Sequence, residues 1–238
     1  MNAEGKRALV LGGTSGIGLA AARQLRDKGA EVIVLSRSEA NHARARAVLG
    51  EDVEVCTLDV LDREAMAATF ARLAPFDILI NAATGGERAT GPFMAMDLDG
   101  FQGSFRKLWG YVNSVRLAGE YLADDGCIVL VSGSPARKCR PGMSAISTVG
   151  NAVEGFTRAI AVEIAPQRIN VVSPGIIDTP MFPMEGEARE GFLTQASANT
   201  LLKRAGSADE VASGILFAIE NDFVTGTTID VDGGALLP

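Results

Sequence analysis

The chain has 238 residues, 47% of them hydrophobic, enough to bury one sizeable core in a single domain. Twenty-two Lys and Arg against 29 Asp and Glu leave a formal net charge of −7, which argues against nucleic acid or an anionic membrane surface as a partner. No apolar run is long enough to span a bilayer, and the three cysteines (Cys56, Cys127, Cys139) have no paired metal spacing, so the expectation is a cytoplasmic protein with reduced thiols, no membrane span and no metal.

Short apolar, β-branched runs predict strands at 8–11, 31–35, 53–58, 78–81, 128–131, 169–172 and 228–231. Helical spacing fills the gaps at 17–28, 40–49, 63–73, 98–121, 144–164 and 208–219. Such alternation implies right-handed crossovers and an α/β fold: one Rossmann domain over 1–238, a doubly wound, seven-stranded parallel sheet with helices on both faces. Pro180, Pro183, Gly186 and Gly191 interrupt any regular pattern over 178–200, which reads as a substrate lid. The single histidine, His42, lies in a polar run and reads as a surface residue, so no histidine-based triad or metal site can be assembled.

The stretch Gly12-Gly13-Thr14-Ser15-Gly16-Ile17-Gly18 lies on the turn from the first strand to the first helix. A phosphate-binding loop belongs there. Gly12 and Gly16 permit a tight turn and close approach of backbone N–H groups, Gly18 permits helix–sheet packing, and the helix N-terminus favours a pyrophosphate. NAD sites place a carboxylate about 20 residues further on, to hold the ribose hydroxyls. Here the second strand ends in Ser36-Arg37-Ser38. Arg37 can pair with a 2′-phosphate that Ser36 and Ser38 can hydrogen-bond, so NADP(H) is the preferred cofactor and NAD(H) the alternative.

These residues and several downstream segments resemble the short-chain dehydrogenase/reductase family over nearly the whole chain. Gly12, Gly16 and Gly18 match its glycine motif, with Leu11 in place of its threonine. Asp59-Val60 resembles the pair whose aspartate binds the adenine amino group. Asn81-Ala82-Ala83 resembles its Asn-Ala-Gly segment, and Asn113 its proton-relay asparagine. Arg168 through Pro174-Gly175 resembles the family's sixth strand, and the following Ile177-Asp178-Thr179-Pro180 resembles the segment that touches the nicotinamide carboxamide. The resemblance implies a homo-oligomer, dimer or tetramer, paired through the two long helices.

The resemblance fails at the chemistry. The family's Tyr-x-x-x-Lys pair protonates the substrate oxygen, and here Ile146 and Gly150 stand in those places. The only tyrosines, Tyr111 and Tyr121, precede the fifth strand, and no lysine lies between Lys138 and Lys203. The family's serine falls at Gly133, between Ser132 and Ser134. A replacement proton donor is sought in the loop 134–142, where Arg137, Lys138 and Arg140 cluster around Cys139, and Lys138 is the candidate acid. Three readings follow: an NADP(H)-dependent oxidoreductase acting on a small carbonyl or alcohol with a non-standard donor, a non-redox enzyme on the same fold, and a non-catalytic nucleotide-binding protein.

Overall fold

A computed structural model describes residues 1–84 and 86–237 of the chain. Its elements, in order, begin with β1 (Arg7–Leu11), α1 (Gly16–Asp27), β2 (Glu31–Ser36), α2 (His42–Leu49), β3 (Glu54–Thr57), α3 (Arg63–Leu73) and β4 (Phe76–Asn81). There follow α4 (Leu98–Ser104), α5 (Arg106–Ala118), β5 (Leu122–Val131), α6 (Ser144–Ile164) and β6 (Arg168–Pro174). The chain ends with β7 (Ile177–Asp178), α7 (Gly186–Ser197), β8 (Gly206–Ser207), α8 (Ala208–Glu220) and β9 (Thr228–Val231).

Seven strands form one parallel sheet in the order β3-β2-β1-β4-β5-β6-β9, and β7 pairs with β8 in a small second sheet. Alternation along each strand divides the core. Ala8 and Val10 of β1 pack with Ala21, Leu25, Val211 and Ile215 of α1 and α8. Leu9 and Leu11 pack on the other face with Phe70 of α3, Tyr111 and Val115 of α5, and Val153 of α6. The central strands are therefore apolar on both faces, as a sheet covered by two helical layers must be. The order reverses between β1 and β4, and because all seven strands are parallel their carboxyl ends share one edge. A crevice at that reversal is where such sheets bind ligands.

Two expectations change. The helix expected over 98–121 is two helices, α4 and α5, broken at Phe105. Gly100 and Gly103 weaken the first segment, so packing rather than propensity decides its path. The region 178–200 is not irregular throughout: α7 forms within it after Gly186 at φ +54°. Few apolar residues mark that helix, which is why its sequence shows no stripe.

Candidate active site

A cleft of about 1100 Å³ runs along the carboxyl edge of the sheet. One end is built by the glycine loop. Gly12 has φ +77°, and a Cβ there would stand 2.8 Å from the Ala83 nitrogen. A Cβ at Gly18 would collide with the Gly12 carbonyl, so α1 can enter this close to the turn only with glycine there. Ser15, the N-cap of α1, makes no side-chain capping bond, which leaves the first N–H groups of the helix without a side-chain partner at the cleft. Thr14, Ser15, Gly16 and Ile17 complete this wall.

Ser36, Arg37 and Ser38 line the same end, joined by Arg44 of α2, which sequence reasoning did not single out. The nearest carboxylate contact of Arg37 is 3.9 Å from Asp59, too long to commit the guanidinium. The cradle of glycines, the free helix end and two arginines at the edge of β2 fit a phosphorylated dinucleotide.

Val60, Ala82, Ala83, Pro174, Gly175, Ile177 and Thr179 also line the cleft. Asp59 and Asn81 do not. The Asp59 carboxylate accepts from the Leu61 backbone N–H at 3.0 Å and is turned along its own loop. Asn81 is buried; its amide donates to Ser114 Oγ at 2.9 Å, and its oxygen accepts from the Ala83 N–H at 3.1 Å. It fixes the loop that follows β4 rather than facing the cleft.

At the other end the predicted catalytic residues separate. Ser132 lines the cleft, with its hydroxyl donating to the Gly150 carbonyl at 3.3 Å. Ser134 instead opens a single 3-10 turn, its carbonyl accepting from the N–H groups of Arg137 and Lys138. Asn113 is turned away from the cleft, and its amide donates to the Val60 carbonyl at 3.1 Å. Lys138 does not overhang the cleft: its Nζ donates to the Leu237 carbonyl at 2.9 Å, at the far end of the chain. Arg137 is held by Glu154 and Asp230. Of the three loop cations only Arg140 reaches the cleft wall. The physical reason is the 3-10 turn at 134–136, which directs the next two side chains toward β9 and the C-terminal segment.

Ile146 lines the cleft, and Gly150 is packed against Ala136 and Ser132. The side chain that sequence reasoning missed is Lys107 of α5. It is partly buried at the cleft, its Nζ donates to the Ser132 carbonyl at 3.3 Å, and it stands 5.6 Å from the centre of the Tyr111 ring. Removal from water and the positive charge of Arg88 push the ammonium down to about 7. Tyr111 is itself buried, donates its hydroxyl to the Val131 carbonyl at 2.8 Å, and its phenol is pushed up by that burial. A signal for Lys107 was present: it precedes Tyr111 by four residues and Ser114 by seven, on the buried stripe of α5. A lysine on such a stripe is unusual enough to note.

Residues of the segment 178–200 line this end. Met181, Phe182, Phe192 and Ala196 line the cleft, with the two phenyl rings 4.8 Å apart. Arg189 of α7 ties the segment together, donating to the carbonyls of Thr179 at 2.9 Å and Met184 at 3.2 Å, to the Phe182 carbonyl, and pairing with Asp178. Arg88 reaches across the cleft to the Met181 sulfur at 2.9 Å.

A family model described as enoyl-(acyl carrier protein) reductase matches residues 12–235. Carbonyl reductase family member 4 of Danio rerio is 31% identical, over 97% of this chain and 98% of its own length. Galactitol 2-dehydrogenase of Rhizobium johnstonii is 34% identical, over 97% and 95%. A small-chain dehydrogenase solved in complex with NADPH superimposes with a TM-score of 0.85 at 32% identity, covering 99% of this chain and all of that one. A parallel sheet with a glycine-lined crevice at its reversal defines a dinucleotide-binding α/β protein. Within that class, the chain belongs to the short-chain dehydrogenase/reductase family of oxidoreductases.

Proposed function

We propose that the protein is an NADP(H)-dependent oxidoreductase that interconverts a small carbonyl compound and its alcohol, using a proton donor other than the family's tyrosine. The observation that carries this reading is the composition of the cleft. Phosphate-binding chemistry lines one end, from Gly12 to Gly18 with Arg37 and Arg44, and the other end closes under an aromatic lid over Ser132 and Lys107. The bound dinucleotide supplies the hydride. The chain's own residues hold its phosphates with the α1 N-terminus, select its 2′-phosphate with Arg37, and exclude water with Phe182 and Phe192. Cytoplasmic location and a homo-oligomeric assembly belong to the same proposal.

A second reading, a nucleotide-binding protein without turnover, is favoured by one observation: neither Ile146 nor Gly150 has a side chain able to donate a proton. Fluorescence titration with NADPH and NADH, followed by turnover assays on a panel of diketones, aldehydes and ketoesters, separates the two. Tight NADPH binding with oxidation of NADPH by at least one carbonyl supports the oxidoreductase, and binding without turnover across the panel supports the second reading. Arg37→Asp is expected to weaken NADPH by at least about tenfold, the loss of one charge-assisted contact, while NADH changes little. Equal weakening of both would remove the phosphate role of Arg37.

A further inference from the structure

We propose that Lys107 is the proton donor to the substrate oxygen, standing in for the absent tyrosine; this rests on the oxidoreductase reading above. Ser132 links the two places. Its hydroxyl bonds the carbonyl of Gly150, and its carbonyl receives the Lys107 ammonium at 3.3 Å. The ammonium thus stands across a single residue from the helix turn where the family carries its pair. Two other candidate acids are committed elsewhere. Tyr111 is committed to Val131, and Lys138 to Leu237. Arg88 and Arg140 line the cleft, but a guanidinium does not release a proton at neutral pH.

The neighbours of Lys107 set its acidity. Arg88, on the loop after β4, places a second positive charge near it. Glu87 and Arg140 line the same cleft, and Tyr111 on its own helix stays neutral. Among the described residues Lys107 has no carboxylate within salt-bridge distance. A lysine partly withdrawn from water beside a cation and lacking a carboxylate partner is displaced toward neutrality, here pushed down to about 7. That matches the requirement for a general acid working near neutral pH.

The step balances. The carbonyl carbon gains the hydride that the bound dinucleotide supplies, and the C=O π pair moves to oxygen. An N–H bond of Lys107 breaks as the O–H bond forms. The products are the alcohol, the oxidised dinucleotide and a neutral amine, which water reprotonates. Reduction needs the ammonium, so its kcat is level below pH 7 and falls tenfold per unit above it. Oxidation of the alcohol needs the amine, so its rate rises through the same range.

The test uses the full chain with NADPH and 9,10-phenanthrenequinone or 2,3-butanedione as probe carbonyl, and Lys107→Met and Lys107→Arg as variants. Both variants should lower kcat by about 10²–10⁴, and in Lys107→Arg NADPH affinity should stay within a few-fold, because that variant keeps the charge and loses only the transferable proton. Arg88→Met should move the limb of the pH profile to higher pH. Side-chain NMR of ¹⁵N-lysine-labelled protein without nucleotide, assigned by the signal missing in Lys107→Met, should show Lys107 titrating near 7. Wild-type turnover that survives in both lysine variants, or a Lys107 signal titrating near 10, would overturn the assignment and leave the oxidoreductase reading standing. Wild-type protein that binds NADPH and reduces no carbonyl defeats the oxidoreductase reading, and the proton-donor role with it.

Discussion

Gly150 occupies a space that a side chain can enter only by moving its neighbours. A Cβ there would stand 2.8 Å from Ala136 Cβ and 3.3 Å from Ser132 Oγ. The packing between α6 and the turn at 134–136 therefore opposes any side chain at position 150, and introducing a tyrosine and a lysine on this helix turn does not simply install the family's chemistry. The double change Ile146→Tyr/Gly150→Lys is expected to lower stability by about 1–3 kcal/mol in urea denaturation, the usual cost of forcing atoms into a packed site. Adding Ala136→Gly should recover part of the loss; an unchanged midpoint for the double variant would show that the site has room.

At the scale of elements, the start of the segment 178–200 is held by one side chain. The guanidinium of Arg189 draws together Asp178 and three backbone carbonyls between Thr179 and Met184. A hydrogen bond from a charged donor contributes about 1.5–3 kcal/mol, and several converge here on a segment with little apolar burial of its own. Arg189→Ala is expected to raise the rate of limited proteolysis within 178–200 by about tenfold or more and to raise KM for the carbonyl, with kcat and the global melting temperature changing less. Equal proteolysis rates would mean that the Phe182–Phe192 contact holds the lid without it. The break at Phe105 matters at this scale too. α5 starts there, burying Tyr111 and Ser114 while Asn113 donates to the Val60 carbonyl.

Across the whole molecule, a chain of net charge −7 concentrates Arg37, Arg44, Arg88, Lys107 and Arg140 on one cleft, where Glu87 is the only acidic lining residue among the described residues. That inversion of local against global charge focuses an anionic ligand on the sheet edge. The outer surfaces carry apolar side chains that a monomer would leave wet, Val162 of α6 at 82% exposure and Trp109 of α5 at 59%. If these helices pair between copies, Val162→Glu should shift the protein toward smaller species in analytical ultracentrifugation. An unchanged sedimentation profile would place the contact elsewhere.

Much of this was legible in the sequence because its causes are local. The glycine loop, the seven apolar strands and the serine-arginine end of β2 are each fixed by a few consecutive residues: a positive φ, a strand buried on both faces, a cation where a carboxylate would repel phosphate. The absence of a tyrosine and lysine on α6 was likewise a matter of counting. What replaces them was not legible there. Lys138 looked placed over the cleft and instead bonds a carbonyl 99 residues away, and Arg137 pairs with Asp230 93 residues on. Asn113 and Lys107 share one helix, and only the packing of that helix against the sheet decides which of them faces the cleft. The direction of a side chain at the end of a long, flexible stem is set by contacts between segments far apart in the chain, and those contacts exist only once the tertiary structure has formed.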